Sequence, residues 1–140
     1  FITGYRFIID GTNIGFNPNN IRNIIYQLKD LIIFLLRLYK ENKNNEPLIK
    51  QTYDAIVENY HSIDNYEIES KQVSYYGGSI ESPIISYIFN VDVREYVYIN
   101  LNNNNANEYS QYEFSENIDK VLLLNDHNHW YSIQSIIHNL

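Results

Sequence analysis

The sequence predicts an α+β (mixed α/β) domain, with helices in the first two thirds of the chain and a small sheet built from its last third. One observation is an apolar stripe that keeps i, i+3, i+4 spacing for about five turns, which predicts one long core helix. A second is a pair of apolar segments, 91–99 and 121–124, with the composition of buried strands. Helices followed by strands are typical of a mixed sheet packed by helices.

Three helices are predicted, and each start has a local signal. Asn17-Pro18 precedes the long helix, where Asn can cap and Pro can occupy the first helical position. Pro47 is placed to open a second helix that ends near Tyr60, and the apolar stretch 84–89 after Pro83 predicts a short third helix. The stripe of the long helix consists of Ile21, Ile24, Ile25, Leu28, Leu31, Ile32, Leu35, Leu36 and Tyr39. The polar, mixed segment 61–72 receives no assignment.

The strands are expected late in the chain and in meander order. Extended structure is predicted for segments 5–9, 91–99, 121–124 and 130–137. The Asn-rich stretch 102–107 predicts a loop tip, and 125–128 a turn between the last two strands.

Composition restricts the classes of partner. The chain has 140 residues and 44% apolar content, which is the size of one globular domain. Its net charge of −7 and ten scattered basic residues argue against a nucleic-acid partner, and a basic protein partner is easier to accommodate. No apolar run is long enough to span a bilayer, so no membrane partner is expected.

The residue usage also bears on origin and chemistry. A first residue of Phe and the absence of Met predict a fragment of a longer chain or a processed product. The abundance of Asn and Ile indicates an AT-rich genome, as in a virus or a parasite, and the compartment stays undetermined between cytoplasm and virion. Zero Cys excludes disulfides, thiolate metal sites and thiol catalysis within these residues.

Three separated segments carry residues that could serve a site. They are Asp10-Gly11-Thr12-Asn13-Ile14, Gly77-Gly78-Ser79-Ile80-Glu81 and Asn128-His129-Trp130-Tyr131-Ser132-Ile133. Taken singly, an Asp-Gly pair indicates a turn, a Gly-Gly pair a loop, and a His beside a Trp a structural contact. Asp126, His127 and His129 lack further ligands nearby in the sequence, so neither a metal nor another cofactor is expected.

In this order the three segments resemble the ovarian-tumour (OTU) family of deubiquitinating cysteine proteases. In that family the first reads Asp-Gly-Asn-Cys-Leu and supplies the nucleophile, and the second reads roughly Gly-Gly-x-x-Glu. The third reads His-(Tyr/Trp)-x-x-(Val/Ile/Leu) and supplies the base. The resemblance implies a papain-type fold over essentially the whole chain. It also implies catalytic positions at Asp10, Asn13 and His129, and a ubiquitin-tail cleft beside Gly11, Thr12, Gly77, Gly78 and Trp130.

The chain departs from the family pattern in ways that remove the nucleophile and change its surroundings. Asn13 stands at the nucleophile position, and an amide nitrogen delocalised into its carbonyl is not a useful nucleophile. Thr12 has a hydroxyl but occupies the preceding position of the motif. Pro18 implies a later helix start than the family uses to lower a thiol pKa. Tyr131 stands where the family commonly has an Asn or Asp that orients the imidazole.

The sequence therefore predicts a catalytically inactive, OTU-like pseudoprotease that binds ubiquitin or a ubiquitin-like tail. Two alternatives stay open. The chain could be a structural or assembly module of a viral or parasite protein, with other subunits as partners and no ligand. It could instead be an OTU deubiquitinase whose nucleophile at position 13 has been replaced by Asn.

Overall fold

The computed structural model describes residues 1–2, 18–75, 77–100, 105–108, 119–125 and 129–133. Within these ranges it contains four helices and four strands, which confirms the α+β class. The chain clusters into two compact units, one of residues 15–89 and the other of residues 1–14 together with 90–140. The first holds the helices and the second holds the sheet. The prediction of one domain over 1–140 stays a prediction.

The helical unit begins with the predicted long helix. Helix α1 spans Pro18–Lys40 and α2 spans Pro47–Tyr60, so both start at the prolines that the sequence indicated. Helix α4 spans Ser82–Phe89, slightly longer than predicted. All three predicted helices are confirmed.

A fourth helix in this unit was not predicted from the sequence. Helix α3 spans Ile63–Ser70, inside the segment 61–72 that received no assignment. It starts at Ser62, whose side-chain oxygen accepts a hydrogen bond from the backbone N–H of Asn65 at 3.1 Å. Asp64 in the first turn complements the positive helix end. The signal that could have found this helix is therefore its cap and not its hydrophobic periodicity.

The core of the helical unit lies where the four helices meet. Its buried members are Ile32, Ile33 and Leu36 from α1, Ile49 and Ile56 from α2, Ile63 and Tyr66 from α3, and Ile84 from α4. The predicted stripe of α1 is only partly correct. Ile32 and Leu36 are buried as expected, but Ile24 and Leu31 are each 40% exposed, while Ile33, off that stripe, is buried. Helix α1 is apolar on two faces, and the predicted stripe combined parts of both.

The sheet unit contains a four-stranded mixed sheet. Strand β1 spans Asp92–Asn100, β2 Asn105–Glu108, β3 Lys120–Asn125 and β4 Trp130–Ser132. The spatial order is β2-β1-β3-β4, with β1 antiparallel to β2, parallel to β3, and β3 antiparallel to β4. The mixed sheet is confirmed, but the predicted meander is wrong, because β1 and β3 are parallel neighbours and parallel strands need a crossover connection.

Several strand predictions need correction or lie outside the described residues. The predicted loop 102–107 is wrong at its end, since Asn105, Ala106 and Asn107 pair with β1. Backbone pairing with β1 offsets the low strand propensity of Asn there. Strand β4 ends at Ser132, whereas the prediction continued to 137. Segments 5–9, 126–128 and 134–140 lie outside the described residues. None of the helices in the described ranges has the length and hydropathy needed to cross a bilayer.

The core assignment predicts the effect of truncating Leu36, which is fully buried on α1. We expect Leu36→Ala to lower the free energy of unfolding by about 2–5 kcal/mol, because buried apolar area is lost and a cavity is left. Urea denaturation followed by far-UV circular dichroism measures this. Ile68→Ala is the matched control, since Ile68 is 65% exposed and its truncation should cost less than about 0.5 kcal/mol. Equal losses in the two variants would contradict the assignment.

Candidate functional site

The predicted site residues fall into three parts of the chain. Asp10, Gly11, Thr12 and Asn13 lie outside the described residues. Gly77 and Gly78 belong to the connection between α3 and α4 in the helical unit, and His129 and Trp130 lie at the start of β4 in the sheet unit. The structure therefore gives the contacts of the glycine turn and those of the His129 segment, each within its own unit.

The glycine turn is closed by the residue that ends its motif. The Glu81 side chain is buried at 7% residue exposure, and its Oε2 accepts a hydrogen bond from the Gly78 N–H at 3.3 Å. The Glu81 N–H in turn donates to the Gly78 carbonyl oxygen at 3.3 Å. Glu81 therefore pairs with the backbone of its own turn.

The two glycines are not required by crowding. A Cβ added at either position would meet no described atom within 4 Å, and neither residue lies in the left-handed region. The pair lies in a loop, as the sequence predicts. Among the described residues, none comes within 4 Å of these Cβ positions, and Gly77 is exposed.

Two tyrosines complete the surroundings of the Glu81 carboxylate. The Tyr66 hydroxyl donates to Oε1 at 3.1 Å, and the Tyr75 hydroxyl donates to the same oxygen. The two rings meet edge to face, with centroids 6.4 Å apart. With the Gly78 N–H, the buried carboxylate accepts three hydrogen bonds, which offset the cost of removing its charge from water.

The tyrosine hydroxyls are held in their protonated, donating form. Burial raises the pKa of Tyr66 and of Tyr75 above the usual value, and the negative charge of Glu81 raises both further. Neither hydroxyl is thus suited to act as a base near neutral pH. They serve as donors that fix the carboxylate.

Lys29 on α1 lies beside the same group. Its Nζ donates to the Ser70 carbonyl oxygen and lies 5.4 Å from the centroid of the Tyr75 ring. Burial lowers the pKa of Lys29, although the Glu81 carboxylate opposes this shift. We call Lys29, Tyr66, Tyr75, Gly78 and Glu81 the Glu81 cluster. It links α1, α3, the glycine turn and the residue before α4.

A buried threonine holds the other end of the turn. The Thr52 hydroxyl on α2 donates to the Ile80 carbonyl oxygen at 2.9 Å and accepts from the Ile84 N–H at 3.2 Å. It therefore satisfies a backbone donor in the first turn of α4 from a neighbouring helix. The glycine turn is fixed at Gly78 by Glu81 and at Ile80 by Thr52.

The His129 segment has a different character. His129 is exposed, and its ring meets Tyr131 edge to face with centroids 4.9 Å apart. Trp130 is half-buried and pairs with Asn125 in the ladder between β3 and β4. His129 therefore lies at the surface, and Trp130 is only partly covered.

The sheet unit also buries two carboxylates that the sequence argument did not single out. Asp92 and Glu95 on β1 are each 1% exposed. Asp92 Oδ2 accepts from Arg94 Nε at 2.5 Å, while Asp92 Oδ1 has no hydrogen-bond partner among the residues that the structure describes. Acidic residues inside the apolar pattern 91–99 were the available signal. No group of three or more metal-ligating side chains that could hold an ion occurs among the residues that the structure describes.

Comparison with protein-family models, curated proteins and solved structures found no match to this chain.

The raised tyrosine pKa values predict how stability depends on pH. We expect Tyr66→Phe to lower the free energy of unfolding by about 2 kcal/mol at pH 7, because a hydrogen bond to a buried charge is lost. Above pH 10, Tyr66 ionises in the unfolded chain but stays protonated in the folded one, so its stabilising contribution falls as pH rises. The difference between parent and variant should therefore shrink by up to about 1.4 kcal/mol per pH unit.

Urea denaturation between pH 7 and pH 11 measures this difference. Tyr87→Phe, which removes an exposed hydroxyl from α4, controls for the general loss of a tyrosine. A Tyr66→Phe difference that stays constant with pH would contradict the buried donor geometry.

Proposed function

We propose that this chain is an OTU-like pseudoprotease domain that binds the flexible C-terminal tail of ubiquitin or a ubiquitin-like protein without cleaving it. In this proposal the chain has a papain-type fold. Asp10, Asn13 and His129 are vestigial catalytic positions, and Gly11, Thr12, Gly77, Gly78 and Trp130 border the tail. The observation that carries the proposal is the Gly77-Gly78 turn, which is fixed from within and has no described atom within 4 Å of the positions that Cβ atoms would occupy.

The form of the turn suits a main-chain ligand. Extended peptides gain affinity from backbone hydrogen bonds to a surface that is already in the bound geometry. The contacts of Glu81 and Thr52 already fix the backbone of this turn, so binding a ligand costs little conformational entropy there. The missing Cβ atoms allow a second backbone to approach closely, and a tail ending in Gly-Gly is itself narrow.

Charge supports a basic protein partner. The chain carries 17 acidic and 10 basic residues. A net negative surface favours encounter with a basic partner face and disfavours acidic partners such as nucleic acids.

The lack of proteolytic chemistry follows from the residue types. These 140 residues contain no Cys, and Asn13 offers no nucleophile that a neighbouring imidazole could activate. A tail that enters the cleft would therefore be bound and released intact.

A second candidate function is that of a structural or assembly module. It is favoured by apolar side chains that α1 and the segment after α3 leave exposed, among them Phe34 at 57% and Val73 at 95%. Such surface on a small domain marks contact with another protein chain.

Restoring the nucleophile tests the tail-binding proposal. We expect Asn13→Cys to form a covalent adduct with ubiquitin that carries a thiol-reactive group at its C-terminus, because the tail would deliver that group to position 13. Mass spectrometry and gel electrophoresis measure the adduct. The parent chain should give none.

The variant with both Asn13→Cys and His129→Ala tests whether position 13 and His129 act together, as the family motif implies. Adduct formation that slows strongly in this variant supports an intact cleft with His129 as base. Adduct formation at an equal rate would mean that the introduced thiol reacts without help from His129. It would contradict the proposed placement of position 13 beside that imidazole. A folded Asn13→Cys chain that gives no adduct would contradict tail binding and favour the assembly role.

A further inference from the structure

Helix α1 presents a second apolar face, away from its buried one. Ile24, Leu31 and Leu38 recur every seven residues, and Phe34 lies three residues after Leu31. Ile24 and Leu31 are 40% exposed, Phe34 is 57% exposed and Leu38 is half-buried. In a heptad these are the a and d positions, with Gln27 at the remaining d position. We call Ile24, Gln27, Leu31, Phe34 and Leu38 the α1 seam.

The seam is distinct from the face that builds the helical core. Ile32, Ile33 and Leu36 lie on the other side of α1 and are at most 4% exposed. An a/d pattern on an exposed face is the arrangement by which one helix packs against another in a coiled coil. A helix whose core contacts were its only role would carry polar side chains at Leu31 and Phe34.

We propose that the α1 seam pairs with the α1 seam of a second copy of this chain, in antiparallel orientation. In antiparallel pairing, a positions meet d positions of the other helix. Leu31 then packs against Phe34 of the second copy, and this contact occurs twice about the two-fold axis. Gln27 of each copy lies opposite Leu38 of the other in the next layer on each side, so both copies use the same residues, as two-fold pairing requires.

The flanking charges favour a second copy in this orientation. Asp30 and Arg37 occupy successive g positions beside the seam, and antiparallel helices bring g positions together. Asp30 of each copy therefore lies near Arg37 of the other, which gives two opposite-charge pairs. Parallel helices would set these groups beside the e positions, Leu28 and Leu35, where they would gain no charge partner.

The existing ion pairs of these residues are compatible with the dimer. Asp30 bonds Lys71 at 2.6 Å, and Arg37 bonds Asp64 at 3.1 Å and Glu67 at 3.3 Å. All are surface pairs, which individually contribute little to stability. The Arg37 guanidinium has five donors in a fork, so it can contact a further carboxylate while keeping those on α3.

The seam is short, and the dimer should be correspondingly weak. A few apolar side chains per copy bury less than the roughly 800 Å² per partner of a standard stable interface. We expect association that depends on concentration. This inference rests on the assembly role and is independent of ubiquitin-tail binding, which the adduct assay reads separately.

Sedimentation velocity of the parent chain over about 10 µM to 1 mM tests the pairing. We expect the dimer fraction to rise with concentration, and Leu31→Gln to weaken the dimer by about tenfold or more, because each substitution acts twice. Val57→Gln is the matched control, since Val57 is 40% exposed like Leu31 and lies on α2, which carries none of the ion pairs that flank the seam, so the dimer should be unchanged. A parent that is monomeric throughout, or a dimer insensitive to Leu31→Gln, would overturn the proposal.

A charge-reversal experiment tests the orientation. Asp30→Arg and Arg37→Asp should each weaken the homodimer, because like charges then face each other twice. An equimolar mixture of the two variants should restore association, since one chain supplies Arg at both g positions and the other supplies Asp. A mixture no stronger than the separate variants would overturn the antiparallel register. Monomers that still form the Asn13→Cys adduct would contradict pairing and leave tail binding standing.

Discussion

The buried carboxylate of Glu81 is the constraint on which the helical unit depends most. A charge removed from water costs several kcal/mol unless hydrogen bonds replace its hydration. Tyr66 on α3, Tyr75 in the following connection and the Gly78 N–H supply those bonds. Because the donors come from separate segments, satisfying one side chain fixes the end of α3, the glycine turn and the start of α4 together. Lys29 on α1 adds a positive charge near the same group, and its electrostatic interaction with Glu81 ties the long helix to this arrangement.

This constraint connects the fold to the proposed function. A turn that contains two adjacent glycines is ordinarily mobile, because glycine has more accessible backbone conformations than any other residue. Here the bonds of Glu81 and Thr52 fix the turn from the interior, and no described atom lies within 4 Å of the positions that Cβ atoms would occupy at Gly77 and Gly78. Binding without cleavage is a coherent role for such a surface in a chain that has no thiol. The second apolar face of α1 is the surface for which we propose a separate role in association.

Local signals in the sequence predicted the fold where they were strong. Pro18 and Pro47 mark the starts of two helices, and the apolar run after Pro83 marks a third. Helix α3 escaped prediction because its signal is a single cap at Ser62. The parallel pairing of β1 with β3 could not be predicted, since register between distant strands is decided by packing and not by either segment alone.

The sequence also predicted only part of the candidate site. The sequence named Gly77, Gly78 and Glu81 as a motif, and the structure gives that motif a geometry. Lys29, Tyr66 and Tyr75 were missed because they lie far from the motif in sequence or carry no pattern of their own.

Titrating the ¹⁵N-labelled chain with a peptide that ends in Gly-Gly, and following the amide signals of Gly77 and Gly78, tests the central claim most directly. The account predicts saturable shifts at both amides, smaller with a peptide ending in Ala-Ala. Shifts confined to other residues, or none at all, would contradict it.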